Sequence, residues 1–277
     1  MPHAADRHRH REPDAPFGLR LRDHAASELD SAIAHLGWRG SRVHAGVHLA
    51  RKALRRVRAT IALDGDALGP GAALVDRELR RLNRGLSQLR DAQALVETLD
   101  RLIAAGHDAA TMQLLHRGRR RAASHRAGCA RESLAADPEL RQRRALLTTL
   151  RGALLALPWE LPDATQLQAN LAASEHRMQQ ARAKADRVGD DEDWHRWRRR
   201  ARRVSQQLRA LNAAGIAIAE ATTFDKHATE RLGAAQDLAL LLEHCGRRSP
   251  FSKADRAALR RFAEPELARR REHLARA

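Results

Sequence analysis

The sequence predicts an all-α fold, and three observations support this prediction. Aromatic residues make up 3% of the 277 residues and tyrosine is absent, whereas β-strands favour aromatic and β-branched residues. Apolar residues recur at helical spacing through long segments. No alternating stretch bounded by turn residues marks a strand. A helical chain of this length is able to bury a sizeable core.

Nine helical segments are predicted in order along the chain. Four residues, Ser41, Asp108, Asp137 and Asp163, stand where a residue that caps the start of a helix is expected. Residues 1–16 are polar, interrupted by proline and without apolar periodicity, so we expect a flexible tail there. The predicted helices are 17–37, 42–64, 72–105, 109–135, 138–157, 163–188, 192–213, 219–245 and 253–276.

The charge of the chain predicts an anionic partner. The formal net charge is +17 and the isoelectric point about 11.4, which favours association with polyanions. No apolar run is long enough to span a bilayer and no signal segment is visible, so we expect a soluble, cytoplasmic protein with no membrane partner. Cys129 and Cys245 form no CxxC pair, so they are interpreted as ordinary thiols.

An internal repeat links two helices of the chain. When the sequence is shifted by about 147 residues, segment 47–61 aligns with segment 194–208. The alignment matches basic residues of one helix with basic residues of the other. The matched pairs are His48 with His195, Arg51 with Arg198, Lys52 with Arg199, Arg55 with Arg202, and Arg56 with Arg203.

A second aligned segment extends the repeat. Segment 86–96 aligns with 232–242, with one residue of slippage, and upstream of it Arg80 aligns with Lys226. A duplicated unit of about 140 residues is therefore predicted, with two four-helix-bundle-like halves related by a pseudo-twofold axis. Together they form a single domain at 17–277, made of repeats at about 17–157 and 163–277.

The helix predicted at 42–64 carries two parallel stripes of side chains. Because an α-helix turns by about 100° per residue, the basic stripe flanks the apolar stripe instead of lying opposite it. This placement is expected of a helix that forms the wall of a cleft. The apolar stripe comprises Val43, Val47, Ala50, Leu54, Val57 and Ile61, and the basic stripe comprises His44, His48, Arg51, Arg55 and Arg58.

The matching helix at 192–213 repeats this arrangement in a region without acidic residues. No Asp or Glu occurs at 31–63 or at 194–219, although like charges four residues apart cost about 0.2–0.5 kcal/mol per pair. A bound polyanion would offset this repulsion, and an arginine-rich solvated surface is the alternative. The apolar stripe here is Trp194, Trp197, Ala201, Val204, Leu208 and Leu211, and the basic stripe is His195, Arg198, Arg202 and Arg209.

These motifs resemble those of the CHAD (conserved histidine α-helical domain) family. His48 to Arg58 is similar to the first family motif, and Leu89-Arg90-Asp91 is similar to its Arg-Asp element, with degenerate second copies beginning at His195 and Leu232. The resemblance covers about residues 20–275. It implies two four-helix bundles around a basic cleft, non-catalytic binding of inorganic polyphosphate, and association with polyphosphate granules.

Arginine is the main candidate ligand for such an anion, because its planar fork makes bidentate contacts with phosphate oxygens. The two histidines either donate to phosphate, with protonation near pH ~6.5 strengthening binding, or form hydrogen bonds within the bundle. Asp91 and Asp237 are interpreted as structural. The candidate polyanion-binding residues are His48, Arg51, Lys52, Arg55, Arg56, Arg58, Arg80, Arg84, His195, Arg198, Arg199, Arg202, Arg203 and Lys226.

Other classes of function have weaker support in the sequence. Nucleic-acid binding is the second choice, since electrostatics permits it but no helix-turn-helix, zinc-finger or RNP motif is present. We predict no catalytic residue, cofactor or metal site, because P-loop, HExxH and GxSxG motifs are absent. His44 and His48 are spaced as two metal ligands on one helix face would be, but no third ligand is evident nearby.

Overall fold

The computed structural model describes residues 16–161, 163–216, 226–247 and 249–276, and there the chain forms ten α-helices and no strand. The all-α prediction is confirmed. The predicted tail, the helix start predicted at 219 and the side chain of Lys226 lie outside the described part. The helices are α1 (Phe17–Leu36), α2 (Val43–Asp64), α3 (Gly69–Gly85), α4 (Ser87–Ala104), α5 (Ala109–Ala136), α6 (Arg141–Leu155), α7 (Ala164–Val188), α8 (Asp191–Ala213), α9 (Lys226–Glu243) and α10 (Lys253–Arg276).

Side-chain caps fix the starts of several helices. Asp108 accepts hydrogen bonds from the amides two and three residues ahead, each at 3.1 Å, and Asp163 accepts one at 2.7 Å. These caps satisfy amides that have no partner inside the helix. Asp190 caps α8 in the same way at 2.7 Å, which was not predicted. Ser41 instead lies within a short 3-10 turn, Gly40–Arg42, that leads directly into α2.

The prediction of a single helix at 72–105 is wrong, because the chain forms two helices there, α3 and α4. Leu86 leaves the helical conformation, with φ −94° and ψ 0°, and its side chain is fully buried. Arg51 of α2 donates to the Asn83 carbonyl at the end of α3 and to Ser87 Oγ at 3.0 Å. The guanidinium therefore satisfies a carbonyl near the break, a tertiary contact that a local sequence pattern does not contain.

The helices pack as four antiparallel hairpins around two hydrophobic cores. The hairpins are α1–α2, α4–α5, α7–α8 and α9–α10. The first core joins α1, α2, α3 and α6, and the second joins α4, α5, α9 and α10. The α7–α8 hairpin runs along both, contributing its two ends to different cores. Each core is thus a four-helix bundle extended by this hairpin, and helices of the first repeat take part in both.

The predicted apolar stripes of α2 and α8 are buried. All six residues of the α2 stripe are 7% exposed or less, and on α8 only Leu208 is partly exposed. Trp194 and Trp197 pack against each other, with ring centroids 5.4 Å apart. Because the apolar stripes face the cores, the adjacent basic stripes lie at the edges of the cores. No helix in the described ranges is long and apolar enough to cross a bilayer.

Candidate functional site

The packing of α2 against α8 brings the two basic stripes together. Arg55 of α2 lies at their meeting point, and it interacts electrostatically with Arg51, Arg90, Arg198 and Arg202. Three helices therefore contribute to one group of cations, since Arg90 comes from α4. We call these five residues the central arginine cluster.

The charges of this cluster are only partly compensated: Asp237 attracts Arg198 and Arg202 without forming an ion pair with either, and Arg55 has no carboxylate acting on it among the described residues. Within the described part of the chain, no carboxylate lies at ion-pair distance from Arg55, Arg198 or Arg202. Burial, followed by repulsion from Arg202, lowers the pKa of both Arg55 and Arg198 to about 9. A depressed arginine pKa means that the folded protein holds the positive charge at a cost in free energy. An anion bound at the cluster would offset that cost.

Two members of the cluster are fixed at the start of α4. Arg51 is bound to Asn83 and Ser87 across the break between α3 and α4. Arg90 Nη1 lies 3.0 Å from a carboxylate oxygen of Glu97. These contacts hold two of the five guanidinium groups, and the remaining three have no ion-pair partner in the described residues.

The cluster adjoins a basic hollow between α2 and α8. This arginine hollow has a volume of about 440 Å³, and no carboxylate lines it among the described residues. Eight of its ten lining residues are arginine, so a ligand inside it meets positive charge from both walls. The lining residues are Arg55, Arg58, Ala59, Arg80, Arg196, Arg199, Arg200, Arg202, Arg203 and Gln206.

Several predicted ligands are instead held by carboxylates. Arg56 donates to both oxygens of Glu28 of α1, at 2.8 and 3.1 Å, in a pair that is largely buried. Arg58 donates through two nitrogens, Nε and Nη2, to the two oxygens of Asp76 of α3, at 2.8 and 3.1 Å. Arg199 lies 2.8 Å from Glu192. The structure therefore places Arg56 apart from the cluster, whereas Arg58 and Arg199 still line the hollow.

The remaining predicted cations lie around the cluster. Arg203 is half-buried on the wall of the hollow, and Arg80 reaches it from α3 with an exposed side chain. Lys52 and Arg84 are exposed and lie outside the hollow lining. They add to the positive field around the site without contacting its interior.

The two matched histidines have different neighbours. Burial, followed by repulsion from Arg90, lowers the pKa of His48 below 6.5, although Glu97 opposes the shift. The predicted protonation of His48 therefore moves to more acidic pH. His195 pairs through Nδ1 with Gln236 Oε1 at 3.0 Å and lines a different hollow of about 860 Å³.

The residues that sequence reasoning missed are Arg90, Arg196 and Arg200. Arg90 lies in the Leu89-Arg90-Asp91 segment, which resembles a family motif, but the resemblance was not extended to a ligand role for Arg90. Arg196 and Arg200 lie beside the predicted basic stripe on α8, and both line the hollow. Their alignment partners in α2 are the apolar residues Leu49 and Ala53, so the repeat gave no indication of them.

The acidic residues near the cluster are suited to structural roles. Burial raises the pKa of Asp91 and of Asp237. Asp237 Oδ2 accepts a hydrogen bond from Arg101 at 2.6 Å, joining α9 to α4. Among the described residues, no three His, Cys, Asp or Glu side chains are grouped so that they could hold a metal ion. Cys129 and Cys245 are both free and buried.

Fold and site together define a class of protein: an all-α double bundle with an arginine-lined cleft between duplicated helices. The model of the CHAD domain family matches residues 23–246. The chain therefore belongs to the CHAD family.

A solved structure supports the fold independently. The crystal structure of the CHAD domain from the plant Ricinus communis is similar, with a TM-score of 0.63 and 18% sequence identity, over 94% of this chain and 89% of that chain. At this identity the likeness shows the fold alone. No curated protein sequence matches the chain.

Proposed function

We propose that this protein binds inorganic polyphosphate, or a similar linear polyanion, in the arginine hollow without catalysing its conversion. The observation that carries the proposal is the position of Arg55, which has no ion-pair partner in the described residues and lies among four other arginines. Mutual repulsion makes such a cluster unfavourable when it is empty. A chain of phosphates supplies closely spaced negative charges, and arginine forks match phosphate oxygens.

The lining of the hollow favours a bare phosphate chain over a nucleic acid. Proteins that bind single-stranded nucleic acids stack bases on aromatic side chains, and no aromatic side chain is part of this lining. Trp194 and Trp197 are buried in the second core instead. The family to which the chain belongs agrees with this choice, because polyphosphate binding is the activity implied by the resemblance.

Binding to long-chain polyphosphate should depend steeply on salt. Neutralising about six phosphates releases their counterions, which predicts a slope of about −4 to −5 for log affinity against log salt, using ~0.7 per contact for a flexible strand. Fluorescence anisotropy with end-labelled polyphosphate at several salt concentrations would measure this slope. A slope near zero, or no binding at low salt, would show that the proposed function is wrong.

Competition at fixed salt separates polyphosphate from nucleic acid. Unlabelled polyphosphate should displace the labelled probe at a concentration, counted in phosphates, at least about tenfold lower than single-stranded or double-stranded DNA requires. Equal potency would support the second choice, a nucleic-acid-binding protein whose binding depends on backbone charge.

We also propose that the protein leaves its ligand unchanged and, in the cell, associates with polyphosphate granules. Phosphoryl transfer generally requires metal ions or a positioned nucleophile, and the arginine hollow presents permanent cations. Incubation of the protein with polyphosphate and Mg²⁺ should release no orthophosphate and should not shorten the chains on a gel. Release of phosphate at a rate proportional to protein concentration would contradict the non-catalytic assignment.

A further inference from the structure

Arg58 is the member of the α2 basic stripe whose fork is occupied by a carboxylate. Its Nε and Nη2 atoms donate to Oδ1 and Oδ2 of Asp76, at 2.8 and 3.1 Å, and both side chains are half-buried. This is the bidentate geometry with which arginine binds a phosphate. Asp76 therefore occupies the donors that Arg58 would otherwise offer to an anion in the arginine hollow.

Asp76 also marks a change in charge between two adjoining hollows. A second hollow of about 490 Å³ lies against the first, and Arg203 lines both. The second hollow is lined by Asp66 and Asp76 together with small or apolar residues, whereas its neighbour has arginine on both walls. Asp76 further opposes the lowering of the pKa of Arg203 that burial causes. A polyanion leaving the first hollow in this direction meets two carboxylates.

We propose that Asp76 limits the polyanion site by neutralising Arg58 and closing this end of the arginine hollow to phosphate. The inference rests on the proposed function and deepens it, because it assigns a residue that restricts affinity and the length of chain accommodated. The pair belongs to the first repeat alone, since Ser205 stands at the position that matches Arg58.

The test is Asp76→Asn, which removes the charge and keeps the shape. One further available arginine should tighten binding of long-chain polyphosphate by about three- to tenfold at low salt. The salt slope should become steeper by about 0.7, the value of one extra contact. Asp100→Asn is the matched control, because Asp100 pairs with Arg119 at 2.9 Å on an exposed surface away from the hollow, and it should leave affinity unchanged.

The opposite role for Asp76 would be to orient Arg58 as a ligand, and a double variant separates the two. If the Arg58–Asp76 pair offers no net charge to the ligand, Arg58→Gln weakens binding because Asp76 is left uncompensated. The affinity of the double variant Arg58→Gln/Asp76→Asn then returns to within about twofold of the wild-type value. If Asp76 orients Arg58, then Asp76→Asn weakens binding and the double variant stays as weak as Arg58→Gln.

The outcomes distinguish this inference from the proposed function. A wild-type protein that binds no polyphosphate contradicts the proposed function itself. A wild-type protein that binds, combined with an Asp76→Asn variant of equal or lower affinity, overturns the role of Asp76 alone. Thermal unfolding of each variant confirms that it is folded. If Asp76→Asn does not fold, the affinity of the double variant decides between the two roles.

Discussion

Replacing Arg55 and Arg202 together with glutamine is expected to lower the affinity for long-chain polyphosphate by about a hundredfold or more at low salt. Both side chains line the arginine hollow, belong to the central arginine cluster and lack an ion-pair partner in the described chain. A hydrogen bond to a charged group contributes about 1.5–3 kcal/mol, so two lost contacts amount to about 3 kcal/mol or more, which corresponds to a hundredfold.

The control for this variant changes the same net charge elsewhere. Arg120 and Arg121 are exposed on α5, away from the hollow, and their double replacement with glutamine should reduce affinity by less than about threefold. Anisotropy titrations give the affinities, and circular dichroism verifies the helix content. An equal loss in the two double variants would mean that binding follows net charge, and the site assignment would then be wrong.

The sequence predicted the scaffold of the site because that scaffold follows helical periodicity. The stripe from Val43 to Ile61 is buried as expected, and an apolar stripe of this kind forces the adjacent stripe to the edge of the core. The repeat predicted that the helices carrying His48 and His195 are equivalent, and these helices, α2 and α8, do pack against each other. Local pattern and duplication were sufficient for these features.

The neutralised arginines could not be predicted from local patterns. Arg56 and Arg58 belong to the same acid-poor segment as Arg55, and nothing within α2 distinguishes them. Their partners lie on other helices, with Glu28 on α1 and Asp76 on α3. Which arginines stay available is therefore decided by tertiary packing, and the absence of acids within one segment overstates the free charge of its helix.

The same reasoning explains the histidines and the missed arginine. His48 and His195 match in sequence, but α4 places Arg90 beside His48 while α9 places Gln236 beside His195. Equivalent positions in a degenerate repeat thus acquire different neighbours and different chemistry. Arg90 joins the central arginine cluster because the helix break at Leu86 sets the direction of α4, and Arg51 of α2 binds residues on both sides of that break.

The cluster implies that binding and stability oppose each other at Arg55. A positive charge held among four others in a partly dehydrated site costs free energy in the folded state. Replacement even of a buried ion pair by well-packed apolar side chains is often neutral or stabilising by about 1–4 kcal/mol, and an unpaired charge lacks the attraction that a pair has. The positive charge at this position then contributes to ligand binding but not to the stability of the fold. The ligand-free protein should therefore become more stable when this side chain is made apolar.

Arg55→Met is accordingly expected to raise the free energy of unfolding of the ligand-free protein by about 1–3 kcal/mol, and the melting temperature by about 2–6 °C, while weakening polyphosphate binding. Because the pKa of Arg55 is lowered to about 9 in the folded protein, the wild type bears the full cost below that pH. The cost decreases as the pH rises above about 9 and the folded protein releases the proton first, so the advantage of the variant should shrink there.

Arg56→Met is the matched control, one position along the same helix. Arg56 is paired with the buried Glu28, so its removal leaves an uncompensated carboxylate and should destabilise the protein by about 3–5 kcal/mol. The same substitution at adjacent positions is thus expected to change stability in opposite directions. Thermal and urea unfolding at pH 7 measure the change in the free energy of unfolding for each variant. If Arg55→Met were as destabilising as Arg56→Met, then Arg55 would have a compensating partner, and the cluster would have no unbalanced charge to offer a polyanion.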